Sequence, residues 1–472
     1  MKKVKTNTNI SNENQGQTYY KGKDAIKVKA SFALGGMVMN LPWILVGSFL
    51  MYFLTDVALV PALSVSALFL GVRIFDGIND PIIGIMADRT KSRFGRYRPW
   101  MLAGGLLLIP SVILLFWAHP TWSVGARTAY ASVLYIIAVI AATMWDIPYG
   151  GLNACITPYS QERASFATSR ILVSSIASAI GAGIFLPLMN RFGGGQGDLV
   201  KGYVVATIII CLIAFPFIFI TFFGTKEVVC PPKGQKLSPK ALLQTVMKNP
   251  PLLIILIGFF IYGFMNFGRG AVGMYYFSYN WDQPGLFSAY IFLTGILSGL
   301  AAFSGMYLLK FLRTKRNACL LGFIVMGVTS LIAFFLTPEN SSATTILIIL
   351  WISSAANGLV TGMIYAMIPD TVEYGQWKSG IRADGFIYAS SSFMMKLGGA
   401  VSPALLGVLL QVSGYIPGGT QSIFTLQMIN GTMNLMPAIL AIIAAIIFYF
   451  YKLDDKLHGQ ILGELAEREA IS

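Results

Sequence analysis

A chain of 472 residues that is 55% hydrophobic and 11% charged, with a mean hydropathy of +0.67, carries less than half the charge of a soluble domain, where about 25% of residues are charged. That excludes an ordinary soluble enzyme or scaffold and identifies an integral membrane protein. The net charge of +14 would suit nucleic acid in a soluble protein, but no nucleic-acid partner is expected here, because the basic residues lie where membrane topology puts them.

Apolar runs of roughly 18 residues or more mark spanning helices. About twelve fit, near 30–54, 61–86, 99–117, 127–154, 165–188, 200–223, 250–278, 286–310, 317–336, 343–369, 384–412 and 423–451. The chain thus reads as an all-α membrane protein: a polar tail 1–29, a six-helix bundle 30–224, a central loop 225–249, a second bundle 250–451 and a tail 452–472. Most of the 34 Lys and Arg fall in the termini and the loops after even-numbered helices, whereas the opposite side holds only Arg127, Arg191 and Lys201. By the positive-inside rule both termini are cytoplasmic, as expected for a multi-pass protein of the cell membrane. The first apolar run lacks a small-residue cleavage site and reads as a spanning helix, not a signal peptide. Cys155, Cys211, Cys230 and Cys319 are scattered, so neither disulfides nor a thiolate metal site are implied. His119 and His458 fall in a loop and a tail, which argues against a histidine proton relay.

Polar residues at depth carry the functional signal. The first helix holds Asn40, with Trp43 three residues on; such an asparagine serves either as interhelical glue or in binding. In the second, GVRIFDGINDP puts Arg73, Asp76 and Asp80 on one helical stripe, with Asn79 adjacent. An ionisable side chain at the bilayer centre costs about 2.5–3.5 kcal/mol, and a transported cation is the compensation this cluster implies. The basic turn that follows, with Asp88 and Arg89 leading to Arg98, fixes topology and latches the cytoplasmic side. Its echo at Lys310, Arg313, Lys315 and Arg316 points to a duplicated six-helix unit with its binding site at midplane. The fourth helix carries Thr143, Trp145, Asp146, Pro148 and Tyr149. Pro148 frees a carbonyl that must find a partner or line a cavity. Arg163 and Arg170 follow at the cytoplasmic start of the fifth helix; Arg170 can reach inward and Arg163 reads as a surface charge. The seventh helix holds Arg269 between Gly268 and Gly270, and the tenth descends into a polar loop with Asp370, Glu373, Lys378, Arg382 and Asp384. Lys396, about four turns into the eleventh helix, is too deep to reach the near surface and needs an acid.

Several of these stretches resemble one family together. RIFDGINDP, YFLTDV, WDIPY, PDTVEYGQWK, IRADG and MKLGG occur in the order and at the spacing of the glycoside–pentoside–hexuronide:cation symporters, the melibiose-permease-like branch of the major facilitator superfamily. The resemblance covers about residues 30–412. It implies twelve helices in two pseudo-symmetric six-helix bundles and alternating access around a central site. It further implies that Asp76 and Asp80 bind the coupling cation, Na⁺, H⁺ or Li⁺, with Asn79 and Thr143 in support. Asp146 would contact sugar hydroxyls, and Arg170 and Lys396 would line the same cavity. A hard cation accepts several oxygens, which two carboxylates, an amide and a hydroxyl can supply. Asp88, Arg89, Arg163, Arg382 and Asp384 become candidates for the cytoplasmic gate. No cofactor is expected beyond the coupling ion, and the partners are a small sugar or glycoside and the bilayer, with the protein a monomer.

Two departures bear on the substrate. The namesake of that branch has an acid at the position of Asn40 and a stacking tryptophan at that of Gly150, so Tyr149, Trp145 or Trp43 must offer any sugar-stacking face. With Asn40 neutral and Arg170, Arg269 and Lys396 present, the cavity suits an anionic sugar such as a hexuronide or a sulfonated sugar. A lysolipid carrier of the same fold is the alternative within the class. An intramembrane prenyltransferase is the alternative outside it, since NDPIIGIMADRTKSRFGRYRP superficially resembles an aspartate-rich diphosphate motif. That motif needs acids where Ile83 and Ala87 stand, so no enzyme is expected.

Overall fold

The computed structural model describes residues 19–118, 120–157, 159–193, 198–228, 245–380 and 384–471, and the regular structure among them is helical. Twelve of these helices are long and apolar enough to cross a membrane. In the first half they are α1 (Gly22–Tyr52, continued by a π-helical turn Phe53–Val57), α2 (Ala62–Arg89), α3 (Arg98–Leu115), α4 (Val124–Cys155), α5 (Ser160–Phe192) and α6 (Leu199–Gly224). In the second they are α7 (Pro250–Tyr275, continued by Tyr276–Asn280), α8 (Gly285–Leu312), α9 (Lys315–Phe335), α10 (Ala343–Ser379), α11 (Asp384–Val412) and α12 (Ile423–Tyr449, with a π-helical turn at Gly431–Leu435). A shorter helix, α13 (Asp455–Ile471), follows. Short connections make neighbours antiparallel, so the links fall on two faces: the termini face, and a far face holding the links after odd-numbered spans.

Helix packing repeats with the sequence. α1 packs on α5, α2 on α4, and α3 on α4 and α6; six helices later α7 packs on α11, α8 on α10, and α9 on α10 and α12. The halves meet through α2 against α11, α5 against α8, and α1 against α7. In lipid there is no hydrophobic drive between helices, so close backbone approach has to come from small residues. The α7–α11 pair illustrates this: a Cβ on Gly263 would stand 2.0 Å from the Met395 carbonyl, and one on Gly398 2.0 Å from that of Phe260.

The basic turn after α2 is shaped by an acid from beyond α6. Glu227 accepts the backbone N–H of Arg96 and of Tyr97, both at 2.8 Å, and so satisfies orphan donors at the start of α3. Gly95 sits beside it at φ +106, a conformation favouring glycine. The Tyr97 hydroxyl donates to Asp88 at 2.6 Å; burial first, then this carboxylate, raise its pKa well above the usual tyrosine value and keep it a donor.

Three boundaries differ from the sequence reading. α10 runs to Ser379 rather than ending near 369, because its polar residues find partners: Lys315 Nζ lies 2.7 Å from Asp370 Oδ2, and Asn249 donates to the Thr371 carbonyl at 2.7 Å. Gly380, at φ +70, closes it. α1 begins at Gly22, eight residues before the expected start. The expected tail contains α13, which buries Ile461 and binds α10 through Trp377 Nε1 to Glu464 at 2.7 Å and through His458 to Glu373. Cys230, His119 and Arg382 lie outside the described residues, as does the side chain of Asp384.

Candidate functional site

The deep charges converge at the contact between the halves. Lys396 on α11 places Nζ 3.3 Å from Asp76 Oδ2 and pairs with Asp80 Oδ2 as well. Thr143 Oγ1, from α4, lies 3.3 Å from Asp76 Oδ1 and 3.1 Å from Asp80 Oδ1. Arg73 flanks the group, with NH1 3.7 Å from Asp76 Oδ2 and its guanidinium against the rings of Trp43 and Phe267. Asn79, next to Asp80 in sequence, is buried, and its Nδ2 has no partner among the described residues. The stripe read from the sequence thus brings four oxygens, one hydroxyl and two cations together. Both basic groups contribute counter-charge, Lys396 to two carboxylates and Arg73 to one.

A cavity of about 850 Å³ lies between the halves. Asn40, Trp43, Asp146, Arg170 and Arg269 line it. Arg170 NH2 donates to Asp146 Oδ1 at 2.5 Å, and the Asp146 side chain is 48% exposed, so this pair offers a carboxylate and a guanidinium to a guest. Asn40 spends its Nδ2 on the carbonyl of Gly36 in its own helix, at 2.8 Å. Trp145 and Tyr149 are placed otherwise than the sequence reading had them. Both are buried in the packing of the first half; Trp145 meets Gly105 of α3, and Tyr149 donates to the Phe32 carbonyl. Tyr149 reaches the cavity only through Arg170, whose guanidinium lies 4.3 Å from its ring centroid.

The second half contributes lining residues that sequence reasoning missed: Tyr262, Asn266, Asn357 and Thr361. All are neutral and polar within apolar helices, a signal no stronger than that of many structural serines and threonines. Asn357 Oδ1 is buried and has no partner among the described residues.

The cavity is closed toward the far face. There Asp56, at the end of α1, accepts hydrogen bonds from Tyr279 of α7 and Tyr415 of the α11–α12 link. Tyr415 also bonds Tyr279 at 3.0 Å, and Thr55 Oγ1 lies 2.6 Å from Tyr275 Oη. Burial, then Asp56, hold the Tyr415 hydroxyl far above its usual pKa, so it remains a donor. Around this knot, side chains of both halves, among them Phe49, Phe185 and Phe287, share one apolar cluster. The sequence reading quoted YFLTDV but gave Asp56 no role. Of the proposed gate residues, Asp88 binds Tyr97, Arg89 is exposed, and Arg163 approaches the Ala154 carbonyl at 3.5 Å.

Comparison with known proteins bears on the class. The profile of a family described as MFS/sugar transport protein matches residues 31–455. The chain is 32% identical over 441 residues to the isoprimeverose transporter of Lactiplantibacillus pentosus, covering 93% of this chain and 91% of that one. It is 28% identical over 440 residues to the glucuronide carrier protein homolog of Escherichia coli (strain K12), covering 93% and 95%. A solved D-xylose-proton symporter shares the fold at a TM-score of 0.68 with 12% identity, covering 91% of this chain and 98% of that one. The chain belongs to the MFS/sugar transport protein family, within the symporter group its motifs resemble, and is a membrane transporter rather than an enzyme.

Proposed function

We propose that this protein is a cation-coupled symporter of a sugar or glycoside that works by alternating access. The observation that carries the reading is Lys396 of one half bridging Asp76 and Asp80 of the other, together with a cavity between the halves lined by polar groups such as Asn40, Asp146, Arg170 and Asn357, of the kind that match sugar hydroxyls. Two carboxylates a helical turn apart repel, and in the state described the ammonium offsets them. An arriving Na⁺, Li⁺ or proton takes over that task, with the Thr143 hydroxyl and the Asn79 amide in support. The tie between α2 and α11 then changes, and because that tie joins the halves, the ion alters the geometry around Asp146, Arg170 and the lining of α7 and α10. By linkage the sugar favours the ion as much as the ion favours the sugar.

The basic termini face is read as cytoplasmic, which makes the closed far face extracellular and this an inward-facing state. Sugar as cargo is supported by the relatives' names, isoprimeverose transporter and glucuronide carrier protein homolog. The test is counterflow of labelled glycosides in proteoliposomes at controlled pH, with and without Na⁺. Uptake of one or more sugars that depends on Na⁺ or pH is expected; sugar uptake indifferent to both refutes the coupling.

A further inference from the structure

The two halves treat their basic turns in opposite ways. In the first, an acid faces the turn between α2 and α3. Glu227, three residues beyond the end of α6 at Gly224, accepts the N–H groups of Arg96 and Tyr97 at 2.8 Å and acts electrostatically on Arg98. In the second, the residue three beyond the end of α12 at Tyr449 is Lys452. α9 packs on α12 as α3 does on α6, so the two places correspond. A cation stands where the first half has an anion, and the turn it meets, between α8 and α9, is itself basic.

A small cavity of about 70 Å³ opens at this place, lined on one side by Thr314, Lys315 and Arg316 and on the other by Tyr451, Lys452 and Asp454. A single water fills about 10–15 Å³ of such a cavity, so it holds a group of several heavy atoms. Lys315 is engaged by Asp370 of α10, Nζ to Oδ2 at 2.7 Å. Arg316 gives NH1 to the Tyr451 carbonyl at 3.3 Å, and among the described residues neither Arg316 nor Lys452 pairs with a carboxylate. Asp454, the acid of the lining, accepts the Leu457 N–H at 2.8 Å at the start of α13. Lys310 and Arg313 stand exposed on the same turn, and Arg313 keeps a side chain at φ +65, where glycine is favoured. The basic charge gathered here exceeds what the neighbouring acids offset.

The surroundings specify the kind of anion. The pocket sits at the ends of α8, α9 and α12, where the spans leave the hydrocarbon on the termini face. Phe311, Tyr449 and Phe450, from the ends of α8 and α12, are 83%, 67% and 61% exposed, and aromatic rings so placed belong at the headgroup level. A free ion has no use for such rings; acyl chains do. We propose that this pocket binds the phosphodiester headgroup of an anionic phospholipid, with Arg316 and Lys452 on the phosphate and the exposed rings against the chains. A guanidinium fork and an ammonium both recognise phosphate, and a basic pocket between spanning helices suits an anionic lipid. The lipid brings to the second half the negative charge that Glu227 brings to the first.

The experiment is native mass spectrometry of the full-length purified protein, stripped of lipid and titrated with phosphatidylglycerol, with phosphatidylcholine of the same acyl chains, or with inorganic phosphate. The proposal expects one phosphatidylglycerol to be retained about 20-fold more tightly than phosphatidylcholine, at roughly fivefold for each of two charges. It expects Arg316→Gln with Lys452→Gln to bring the two lipids within about threefold of each other. Lys91→Gln with Arg93→Gln, which removes two exposed charges from the α2–α3 turn, should keep the preference. Equal retention of the two lipids by the native protein overturns the proposal, whether or not the variants fold. So does an equal loss in both double variants, which marks a diffuse attraction to the whole basic face. Inorganic phosphate that binds through Arg316 and Lys452 while no phosphatidylglycerol is retained overturns it as well.

Discussion

Removing a single hydroxyl from the far-face knot should open the protein outward. In Tyr415→Phe the Asp56 carboxylate loses one of its two tyrosine donors, and Tyr279 loses its 3.0 Å contact. Hydrogen bonds to a charged group contribute about 1.5–3 kcal/mol, and this one exists only while the halves are together on that face. Once they part, Asp56 meets water and the missing hydroxyl costs nothing. The closed state is therefore penalised by the full amount, a shift in the closed-to-open ratio of roughly 10- to 150-fold at 1.4 kcal/mol per decade. Spin labels on Ser123 in the α3–α4 link and Glu339 in the α9–α10 link, both exposed on the far face, report the change by double electron–electron resonance. A longer-distance population should grow in the variant. An unchanged distance distribution, or one that tightens, would refute the view that Asp56 holds the far face shut.

Thr143→Ala removes the hydroxyl shared by Asp76 and Asp80 and should weaken cation binding about tenfold, measured by calorimetry without sugar. Asp146→Asn should lower sugar affinity about 100-fold while leaving cation affinity unchanged, because it breaks a charged pair in the cavity wall and not the ion cluster; parallel titrations with sugar and with Na⁺ separate the two. Gly398→Ala forces a Cβ to within 2.0 Å of the Phe260 carbonyl and should cost about 1–3 kcal/mol, seen as a lower melting temperature of the purified protein. Trp377→Phe removes the bond to Glu464 and should speed hydrogen exchange across α13 while leaving α10 protected.

What could be read from the sequence was whatever violated the bilayer. Asp76, Asp80 and Lys396 are costly in hydrocarbon, so their presence announced a site, and the need of Lys396 for an acid could be stated from depth alone. Neutral groups gave no such warning. Asn266, Asn357 and Thr361 line the cavity, yet in sequence they look like the small polar residues that stitch membrane helices anywhere. Trp145 and Tyr149 misled for a related reason: an aromatic beside an acid reads as a sugar platform, but one helix turn decides whether it faces the cavity or the neighbouring helices, and both face inward to the first half. The extension of α10 was hidden because Asp370 and Glu373 look like loop residues until Lys315 and His458 are brought to them by the fold. Asp56 was visible but not interpretable, since its partners Tyr279 and Tyr415 come from more than 200 residues away.

The central claim is that Asp76 and Asp80 hold the ion that drives sugar movement. Its most direct test compares the native protein with Asp80→Asn in proteoliposomes, following counterflow of a transported sugar across a matrix of Na⁺ concentration and pH, with the amount of inserted protein matched. The account predicts that the variant inserts normally and that stimulation by Na⁺ or by protons is abolished. Stimulation as strong as in the native protein would contradict it.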